Sequence, residues 1–185
     1  MKIYTIGHSN RTLEDFLSVL RTYGIQVLAD VRAFPGSTRY PHFGKANLGQ
    51  SLEAAGIRHV WMGDSLGGYR KEREGLGDDS PNKGLRSLSF RAYADYMRSA
   101  AFQDAASKLM ALARQKRTVY MCAEKLYWRC HRLLISDYLA SLGCEVGHII
   151  DEKTVTLHKL SSAARIIDGV LSYPKEPEKS AGPIV

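Results

Sequence analysis

The residues with the greatest potential for chemistry in this 185-residue chain are concentrated between positions 118 and 142, in the stretch TVYMCAEKLYWRCHRLLISDYLASL. The side chains in it that can attack, transfer protons or pair with ions are Cys122, Glu124, Lys125, Arg129, Cys130, His131 and Arg132. A segment that serves only packing has no use for such a set. We therefore expect any active site to include this stretch.

Cys122 follows a short apolar run and precedes a predicted helix. A thiol near a helix N-terminus and beside cationic groups is stabilised as the thiolate, which is the form that acts as a nucleophile or a metal ligand. A free cysteine at the end of a core strand can also be a small buried hydrophobe. The sequence leaves both interpretations open.

Glu124 is two positions further along, where it can serve as a general acid or base, as a ligand, or as the ion-pair partner of a nearby arginine. On the predicted helix, Arg129 and Arg132 are three residues apart and share a face. Two guanidinium groups on one face suit a phosphate, because arginine binds oxyanions bidentately. An ordinary solvated helix face has the same composition.

Two familiar thiol motifs are absent. Cysteine phosphatases and rhodaneses build a backbone cradle between the cysteine and a following arginine, but the six residues between Cys122 and Arg129 include no glycine. Metal binding by Cys122, Cys130 and His131, with Glu124 or His148 as a fourth ligand, is a further alternative. The spacing is not a recognised zinc pattern, and neighbouring helical residues point about 100° apart. We predict no metal site, and the sequence names no cofactor.

The predicted elements alternate between strands and helices. The strands are residues 2–6, 25–31, 57–62, 118–121 and 144–150, and the helices are 12–23, 47–55, 90–98, 102–113, the segment from the turn after residue 122 to residue 142, and 157–170. Parallel neighbours need crossover connections, and the connections here are helical. The pattern predicts an α/β layered fold with a mainly parallel sheet of about five strands flanked by helices.

In such sheets ligands bind beyond the carboxyl ends of the strands. The polar or turn-forming residues expected there are His8, Ser9, Asp30, Arg32, Gly63, Asp64, Cys122 and Glu124, with His148 inside the last strand and Ser37 in the turn after the second. They would converge on one rim and form a composite site. The simpler alternatives are that Asp30 pairs with Arg32, that Ser9 caps a helix, and that Ser37 only shapes a turn.

Length and composition predict one domain. A chain with 44% hydrophobic residues supports one sizeable core, which we place at residues 1–173, followed by a loose tail at 174–185. The segment 63–89 is long for a connection and is expected to be a lid or disordered. No apolar run approaches the roughly 20 residues of a membrane span. The three cysteines fit a reducing compartment, so we expect a cytoplasmic protein.

The formal charge is +7 and the isoelectric point is near 9.4. The window 108–132 contains seven Lys or Arg against one acidic residue, a net charge of +6. Such an excess permits an anionic partner such as a nucleotide or a nucleic acid. The oligomeric state is left open by the sequence.

The motifs also combine into one pattern. They are TIGHSN at 5–10, DVRAFPGS at 30–37, LGG at 66–68, CAEKLYWRCHR at 122–132 and GHI at 147–149. In this order the chain resembles the domain of unknown function 488 family over nearly its whole length, to about Tyr173. The resemblance implies a Rossmann-like α/β domain and no established activity.

The leading hypothesis is an enzyme that acts on a phosphate-bearing substrate. Its catalytic residues would be Cys122, Glu124, His8, His131 and Asp30, and its substrate-binding residues Ser9, Arg32, Ser37, Arg129 and Arg132. The alternatives are a non-catalytic nucleic-acid-binding module, whose binding would weaken steeply with salt, and a thiol- or metal-based redox sensor.

Overall fold

The computed structural model describes residues 1–36, 38–69 and 76–175. Its strands are β1 (Lys2–Gly7), β2 (Val27–Asp30), β3 (Arg58–Trp61), β4 (Thr118–Cys122), β5 (Glu145–Ile149), β6 (Val155–Leu157), β7 (Arg165–Ile167) and β8 (Val170–Ser172). Its helices are α1 (Leu13–Thr22), α2 (Lys45–Ala54), α3 (Gly63–Leu66), α4 (Leu88–Tyr96), α5 (Ala100–Gln115) and α6 (Arg132–Ser141). Short 3-10 helices occur at Pro41–Phe43, Gly77–Asp79 and Tyr127–Arg129.

The main sheet has six strands in the order β3-β2-β4-β1-β5-β6. The first five are parallel, and β6 pairs antiparallel with β5 at one edge. All four residues of β2 are buried, as is typical of a parallel strand covered on both faces. The predicted α/β fold with a mainly parallel sheet is thus confirmed, and the layering is Rossmann-like.

Apolar cores lie on both faces of this sheet. One contains Phe16, Leu20 and Leu28 and is covered by α1 and α2; the other contains Tyr93 and Leu134 and is covered by α4, α5 and α6. Sandwiching the sheet in this way buries its central strands and leaves the strand ends as the places where polar side chains can gather. We therefore expect the functional site among the polar side chains at the ends of the strands.

The first crossover begins as the sequence predicts. The Thr12 hydroxyl accepts a hydrogen bond from the backbone N–H of Asp15, which caps α1. The chain then returns to the sheet as β2, which lies beside β4 rather than beside β1. This arrangement puts β4 between β1 and β2 and creates a rim at which loops from three strands meet.

The predicted helix at 157–170 is wrong. The segment contains the end of β6 and an antiparallel hairpin of β7 and β8. The turn of that hairpin is Asp168-Gly169, and both residues have positive φ angles, of 51° and 76°. Asp-Gly is a strong signal for a two-residue hairpin turn, and this turn outweighs the helical spacing of the apolar residues.

The predicted helix after residue 122 begins later than expected. Tyr127–Arg129 is a 3-10 helix, Cys130 is extended with φ −135° and ψ 152°, and α6 starts only at Arg132. Arg129 and Arg132 therefore do not share a helix face, and this part of the prediction is wrong. The interruption places Cys130 and His131 in the loop between strand and helix, where they can approach Cys122.

The described parts of the long segment 63–89 are ordered. They include α3 and the 3-10 helix at Gly77–Asp79. The Asp95 carboxylate accepts hydrogen bonds from the side chains of Ser80 and Asn82 and from the backbone N–H of Leu76, which fixes this segment on α4. Residues 70–75, and residues 176–185 of the predicted tail, lie outside the described part of the chain. None of the described helices could span a membrane.

Candidate active site at the strand rim

Three strand ends meet at the rim as the sequence predicts. Gly7 of β1 is opposite Cys122 of β4, and Asp30 of β2 is opposite Met121. Because these strands are parallel neighbours, the turns that follow them leave the sheet side by side. The site residues of the first, second and fourth strands are therefore brought to one edge.

The turns after β1 and β4 are locked to each other. The backbone N–H of His8 donates to the carbonyl of Cys122, and that of Ser9 to the carbonyl of Ala123. A Cβ atom on Gly7 would lie only 1.9 Å from the carbonyl oxygen of Glu124, so only glycine allows this approach. Ser9 adopts a left-handed conformation with φ of 54°, which is uncommon outside glycine.

Cys122, Cys130 and His131 form a compact cluster, which we call the thiol–imidazole cluster. The Nδ1 atom of His131 lies 3.3 Å from the Sγ of Cys130 and 4.0 Å from the Sγ of Cys122. All three donor atoms lie within 4.8 Å of one another. Cys122 is partly exposed, and the other two residues are buried.

Backbone contacts orient the imidazole. The Nε2 atom of His131 is 3.1 Å from the carbonyl oxygen of Val31, so it carries the proton and donates it. Nδ1 is then the unprotonated nitrogen and directs its lone pair at the two sulfurs. The ring lies against Gly68, where a Cβ atom would come within 2.4 Å of Nδ1. The LGG motif is thus explained by the close approach of its last glycine to His131.

The two thiols titrate differently. A hydrogen bond from the Cys122 thiol, followed by the charge of Arg132 and its N–H groups, lowers the pKa of Cys130 to about 6 despite burial. The same hydrogen bond, together with burial, raises the pKa of Cys122 to about 12. The two sulfurs therefore share a hydrogen bond, and the charge of Arg132 favours the loss of a proton from Cys130.

Arg132 is not available as an anion holder. Its side chain is 1% exposed and donates to the carbonyls of Glu124 and Lys125 and to the hydroxyl of Thr5. These bonds fix the loop between β4 and α6, which explains the late start of the helix. The predicted substrate-binding role of Arg132 is replaced by a role in shaping the rim.

Asp30 and Arg32 pair with each other, which was the simpler of the two expectations. The guanidinium donates to both carboxylate oxygens, from Nε at 2.8 Å and from Nη2 at 2.6 Å. Burial alone would raise the pKa of Asp30, but the hydrogen bonds from Arg32, together with the imidazole of His59 at 3.7 Å, outweigh it and lower the pKa. The carboxylate lies behind Arg32 and does not line the open space at the rim.

His8 is also engaged on both sides of its ring. Its Nδ1 is 2.9 Å from the carbonyl of Ser9, its Nε2 is 3.3 Å from the Nη1 of Arg32, and the ring stacks on Phe43. Burial and the charge of Arg32 lower its pKa to about 4. This neutral, fully bonded ring links the first turn to Arg32 and offers no free nitrogen for proton transfer.

The cluster opens into a cleft of about 420 Å³, which we call the rim cleft. The residues that line it are Arg32, Ala33, Phe34, Gly68, Tyr69, Ser89, Phe90, Cys122, Ala123, Glu124, Arg129, Cys130 and His131. An adjacent groove of about 340 Å³ shares Arg32, Phe34, Ala123 and Glu124 with it and continues past His8, Ser9 and Lys125. Together they make one open surface that starts at the two sulfurs and runs across the first turn.

The mouth of the rim cleft carries exposed aromatic and charged side chains. Phe34 is 74% exposed and contacts Tyr69 edge to face, with ring centroids 5.6 Å apart. Glu124 and Arg129 are also exposed, and the Glu124 carboxylate accepts a hydrogen bond from the backbone N–H of Leu126. Phe34 and Tyr69 thus give the mouth of the cleft an exposed aromatic surface.

The basic window at 108–132 does not form one patch. Lys116 and Arg117 precede β4 and lie at the amino ends of the strands, together with Arg114. Lys125 and Arg129 lie at the carboxyl ends, and Arg132 is buried. The charge that the sequence concentrates in one window is thus divided between opposite rims of the sheet.

Seven of the ten predicted catalytic and substrate-binding residues line the open surface of the rim, whereas Asp30 and Arg132 are buried and do not line it. Those that line the rim cleft or the adjacent groove are His8, Ser9, Arg32, Cys122, Glu124, Arg129 and His131. Ser37 lies outside the described residues. His148 lies apart, in a second histidine cluster under α6.

This second cluster, which we call the buried relay, is formed by Asp137, His158 and His148. The Nε2 of His158 donates to Asp137 over 2.9 Å, and its Nδ1 accepts from the Nε2 of His148 over 3.0 Å. Ser161 and Tyr173 also donate to the Asp137 carboxylate. The ring of Tyr127 stacks on His148 at a centroid distance of 3.4 Å and covers it.

Sequence reasoning missed the reactive thiol and the aromatic mouth of the cleft. The sequence includes Cys130 among the reactive side chains and the possible metal ligands but not among the predicted catalytic residues, although its position immediately before a histidine and a helix favours a thiolate. Phe34 lies within the DVRAFPGS motif at the end of the second predicted strand. Its exposure could not be read from the sequence, because apolar residues in turns are often buried by neighbouring elements.

A mainly parallel α/β sheet with a thiol–imidazole cluster at the carboxyl ends of its strands defines a Rossmann-like domain with a candidate active site at its rim. The chain belongs to the family described as Domain of unknown function DUF488, whose model matches residues 12–139. The matched range includes the whole segment from Cys122 to Arg132. No curated protein and no solved structure matches the chain.

Proposed function

We propose that the protein is an enzyme that acts on a phosphate-bearing substrate such as a nucleotide or a nucleic acid, and that the rim cleft is its active site. The observation that carries this proposal is the thiol–imidazole cluster at the end of a cleft whose mouth bears exposed aromatic and cationic side chains. Ligands of parallel α/β sheets bind at this edge.

The aromatic mouth supports a planar substrate group. Phe34 and Tyr69 lie at the cleft with Phe34 largely exposed, so one ring face is free to stack on a base. Stacking of a base on an aromatic side chain contributes about 1–3 kcal/mol and tolerates any base. A nucleobase stacked on Phe34 would place the rest of the nucleotide over Ala123 and Glu124, which line both the cleft and the groove.

The exposed cations support an anionic group. Arg129 lines the rim cleft and Lys125 the adjacent groove, and both side chains are exposed. Arg32 adds little net charge because Asp30 neutralises it. Arg129 is the preferred phosphate contact, since its guanidinium can donate two parallel hydrogen bonds to an oxyanion.

Glu124 is the candidate acid or base of the reaction. Its carboxylate lines both the cleft and the groove, and the Leu126 N–H holds it in place. It therefore faces the space between the cluster and the phosphate contacts. A positioned carboxylate that transfers a proton in the transition state contributes roughly 10²- to 10⁴-fold to the rate.

The test is a turnover screen with nucleotides and short single-stranded DNA and RNA, followed by chromatography and mass spectrometry. We expect a product with the native protein, and a rate lowered about 10²-fold or more in Glu124→Gln with binding retained. Glu14→Gln, on the exposed first turn of α1, is the matched control and should behave as the native protein.

The outcomes separate the proposal from its rivals. If neither nucleotides nor oligonucleotides are bound or changed, the proposal is wrong. Binding without turnover that is unaffected by Glu124→Gln and by Cys122→Ala would instead favour a non-catalytic nucleic-acid-binding module.

A further inference from the structure

We propose that Cys122, Cys130 and His131 form a zinc site whose fourth coordination position opens into the rim cleft. This inference rests on the proposed function, because it makes a bound zinc ion the reactive centre of the same cleft. It also reverses our expectation from the sequence spacing that the protein has no metal site.

The donor atoms are spaced as a zinc ion requires. With Zn–S bonds of about 2.3 Å and Zn–N bonds of about 2.0–2.1 Å, tetrahedral coordination places the donor atoms roughly 3.5–3.8 Å apart. The two sulfur-to-nitrogen distances in the structure are 3.3 and 4.0 Å, and no pair of donor atoms exceeds 4.8 Å. Shifts of a few tenths of an ångström up to about 1 Å would bring all three donors onto one ion.

The imidazole has the orientation of a metal ligand. Metal-binding histidines almost always donate their other ring N–H to a carboxylate, a backbone carbonyl or water. The Nε2 of His131 makes such a bond to the carbonyl of Val31, and Nδ1 is left for the metal. Gly68 packs against the same ring and fixes its plane.

The three residues do not lie on one helix, so their sequence spacing does not prevent them from binding one ion. Cys122 ends β4, Cys130 is extended, and His131 is the N-cap residue of α6. The angular separation of successive helical residues therefore does not apply. The loop between strand and helix folds back so that all three side chains converge on the end of the cleft.

The charge of the three ligands and the opening of the site into the cleft are those of a catalytic zinc ion rather than a structural one. Two thiolates would neutralise Zn²⁺, and the imidazole would bind as a neutral ligand. Structural zinc sites have four protein ligands, whereas catalytic sites have three and an open position. All three donors line the rim cleft, and so does Glu124, so the open coordination position would face the same space as the candidate acid or base.

Metal binding is tested by elemental analysis of protein purified without chelators, followed by exchange of the ion for cobalt. We expect one zinc ion per chain. The cobalt form should show the thiolate-to-cobalt charge-transfer band and the intense visible bands of a tetrahedral site. Zinc should also raise the melting temperature of the metal-free protein, because it binds only the folded state tightly.

The variants Cys122→Ser, Cys130→Ser and His131→Gln should each lose the cobalt charge-transfer intensity or reduce it. Cys144→Ser is the matched control, since this buried thiol lies against Met110 and away from the cluster. Its cobalt spectrum should equal that of the native protein. If a ligand variant fails to fold, the native and Cys144→Ser proteins alone decide the question.

A folded native protein that takes up neither zinc nor cobalt in stoichiometric amount overturns the inference, as does a cobalt spectrum without thiolate charge transfer. A disulfide between Cys122 and Cys130 in protein purified without reductant also overturns it. Nucleotide binding with no metal uptake would leave the proposed function intact. Metal uptake with no nucleotide binding or turnover would instead remove the proposed function and leave the zinc site.

Discussion

The protein contains two histidine clusters, and they differ in what their surroundings leave free. In the buried relay, Asp137 accepts four hydrogen bonds, His158 uses both ring nitrogens, and Tyr127 covers His148. In the thiol–imidazole cluster, His131 uses one nitrogen on the backbone and directs the other at two sulfurs beside an open cleft. Asp137 and His158 thus have all their polar atoms bonded, and the one unbonded ring nitrogen of the relay, Nδ1 of His148, is buried. The donor atoms of the thiol–imidazole cluster instead lie beside an open cleft.

The difference shows why residue type alone does not identify a site. A buried carboxylate with its full set of donors stabilises the fold, because removing it leaves those donors without partners. A cluster with unused donor atoms and access to a cavity can bind or react. We therefore expect the largest stability effects in the relay, and functional effects with smaller stability effects at the cleft.

The largest stability effect is expected for Asp137→Ala. This change leaves His158, Ser161 and Tyr173 without their buried acceptor and should lower the free energy of unfolding by about 3–5 kcal/mol. Chemical denaturation measures it. Asp104→Ala, at an exposed position of α5, is the control and should stay within about 0.5 kcal/mol. A small effect at Asp137 would contradict the structural role of the relay.

Acidification should weaken the fold through its buried neutral histidines. Burial, His158 and Arg132 lower the pKa of His148 to about 3, and burial and Arg32 lower the pKa of His8 to about 4. The unfolded chain takes up protons near the ordinary pKa of 6.5, before the folded state does, so stability falls as the pH drops from about 6.5 to 4.5.

The expected loss over this range is about 1–2 kcal/mol per histidine. Denaturation curves at a series of pH values measure it. In His148→Gln the free energy of unfolding should depend less steeply on pH, because the contribution of one of the two histidines is lost. An unchanged slope in that variant would mean that His148 is not held neutral by the fold.

Gly68→Ala should disturb the cleft cluster with a moderate stability cost. The new Cβ would lie 2.4 Å from the Nδ1 of His131, so the ring must move, at about 1–3 kcal/mol. Cobalt binding should fall with it. Gly36→Ala is the matched control, because its Cβ would meet nothing within 4 Å. Native behaviour of Gly68→Ala would contradict the close packing of the imidazole.

Phe34→Ala should have the smallest stability effect and a clear functional one. The side chain is 74% exposed, so the free energy of unfolding should change by less than about 0.5 kcal/mol. Nucleotide or oligonucleotide affinity should fall by about 1–3 kcal/mol if a base stacks on the ring. Calorimetric titration measures this, with Ile166→Ala on the exposed hairpin as the control. Equal affinities in both variants would exclude stacking on Phe34.

The sheet was predictable because its strands are short, apolar and separated by helical segments. The residues of β2 and β4 that carry the core are continuous apolar runs, and the polar residues that follow them reach the rim by the parallel register. The convergence of the turns after the first, second and fourth strands followed from that alone. The hairpin at Asp168-Gly169 was missed because helical spacing was given more weight than its turn residues.

The content of the site was harder to predict, because it depends on long-range contacts. Arg132 is buried against carbonyl groups of its own loop, so it does not line the cleft. The same hydrogen bonds hold the loop that precedes α6, and the helix begins later than predicted. Arg117 is close to Cys122 in sequence but precedes the strand that Cys122 ends, so the two lie at opposite rims. The positive charge at the site is therefore smaller than the window 108–132 suggests. The predicted continuous helix after residue 122 also gave no indication that Cys122, Cys130 and His131 meet.

The most direct test of the central claim is the rate of cysteine alkylation in metal-depleted native protein, mapped by mass spectrometry with and without a nucleotide. We predict that Cys122 or Cys130, which line the cleft, is modified well before Cys144, which lies against Met110 away from it. A bound nucleotide should slow this modification without affecting Cys144. If the three thiols react at equal rates, or if no nucleotide or oligonucleotide protects the pair, the rim cleft is not the substrate site.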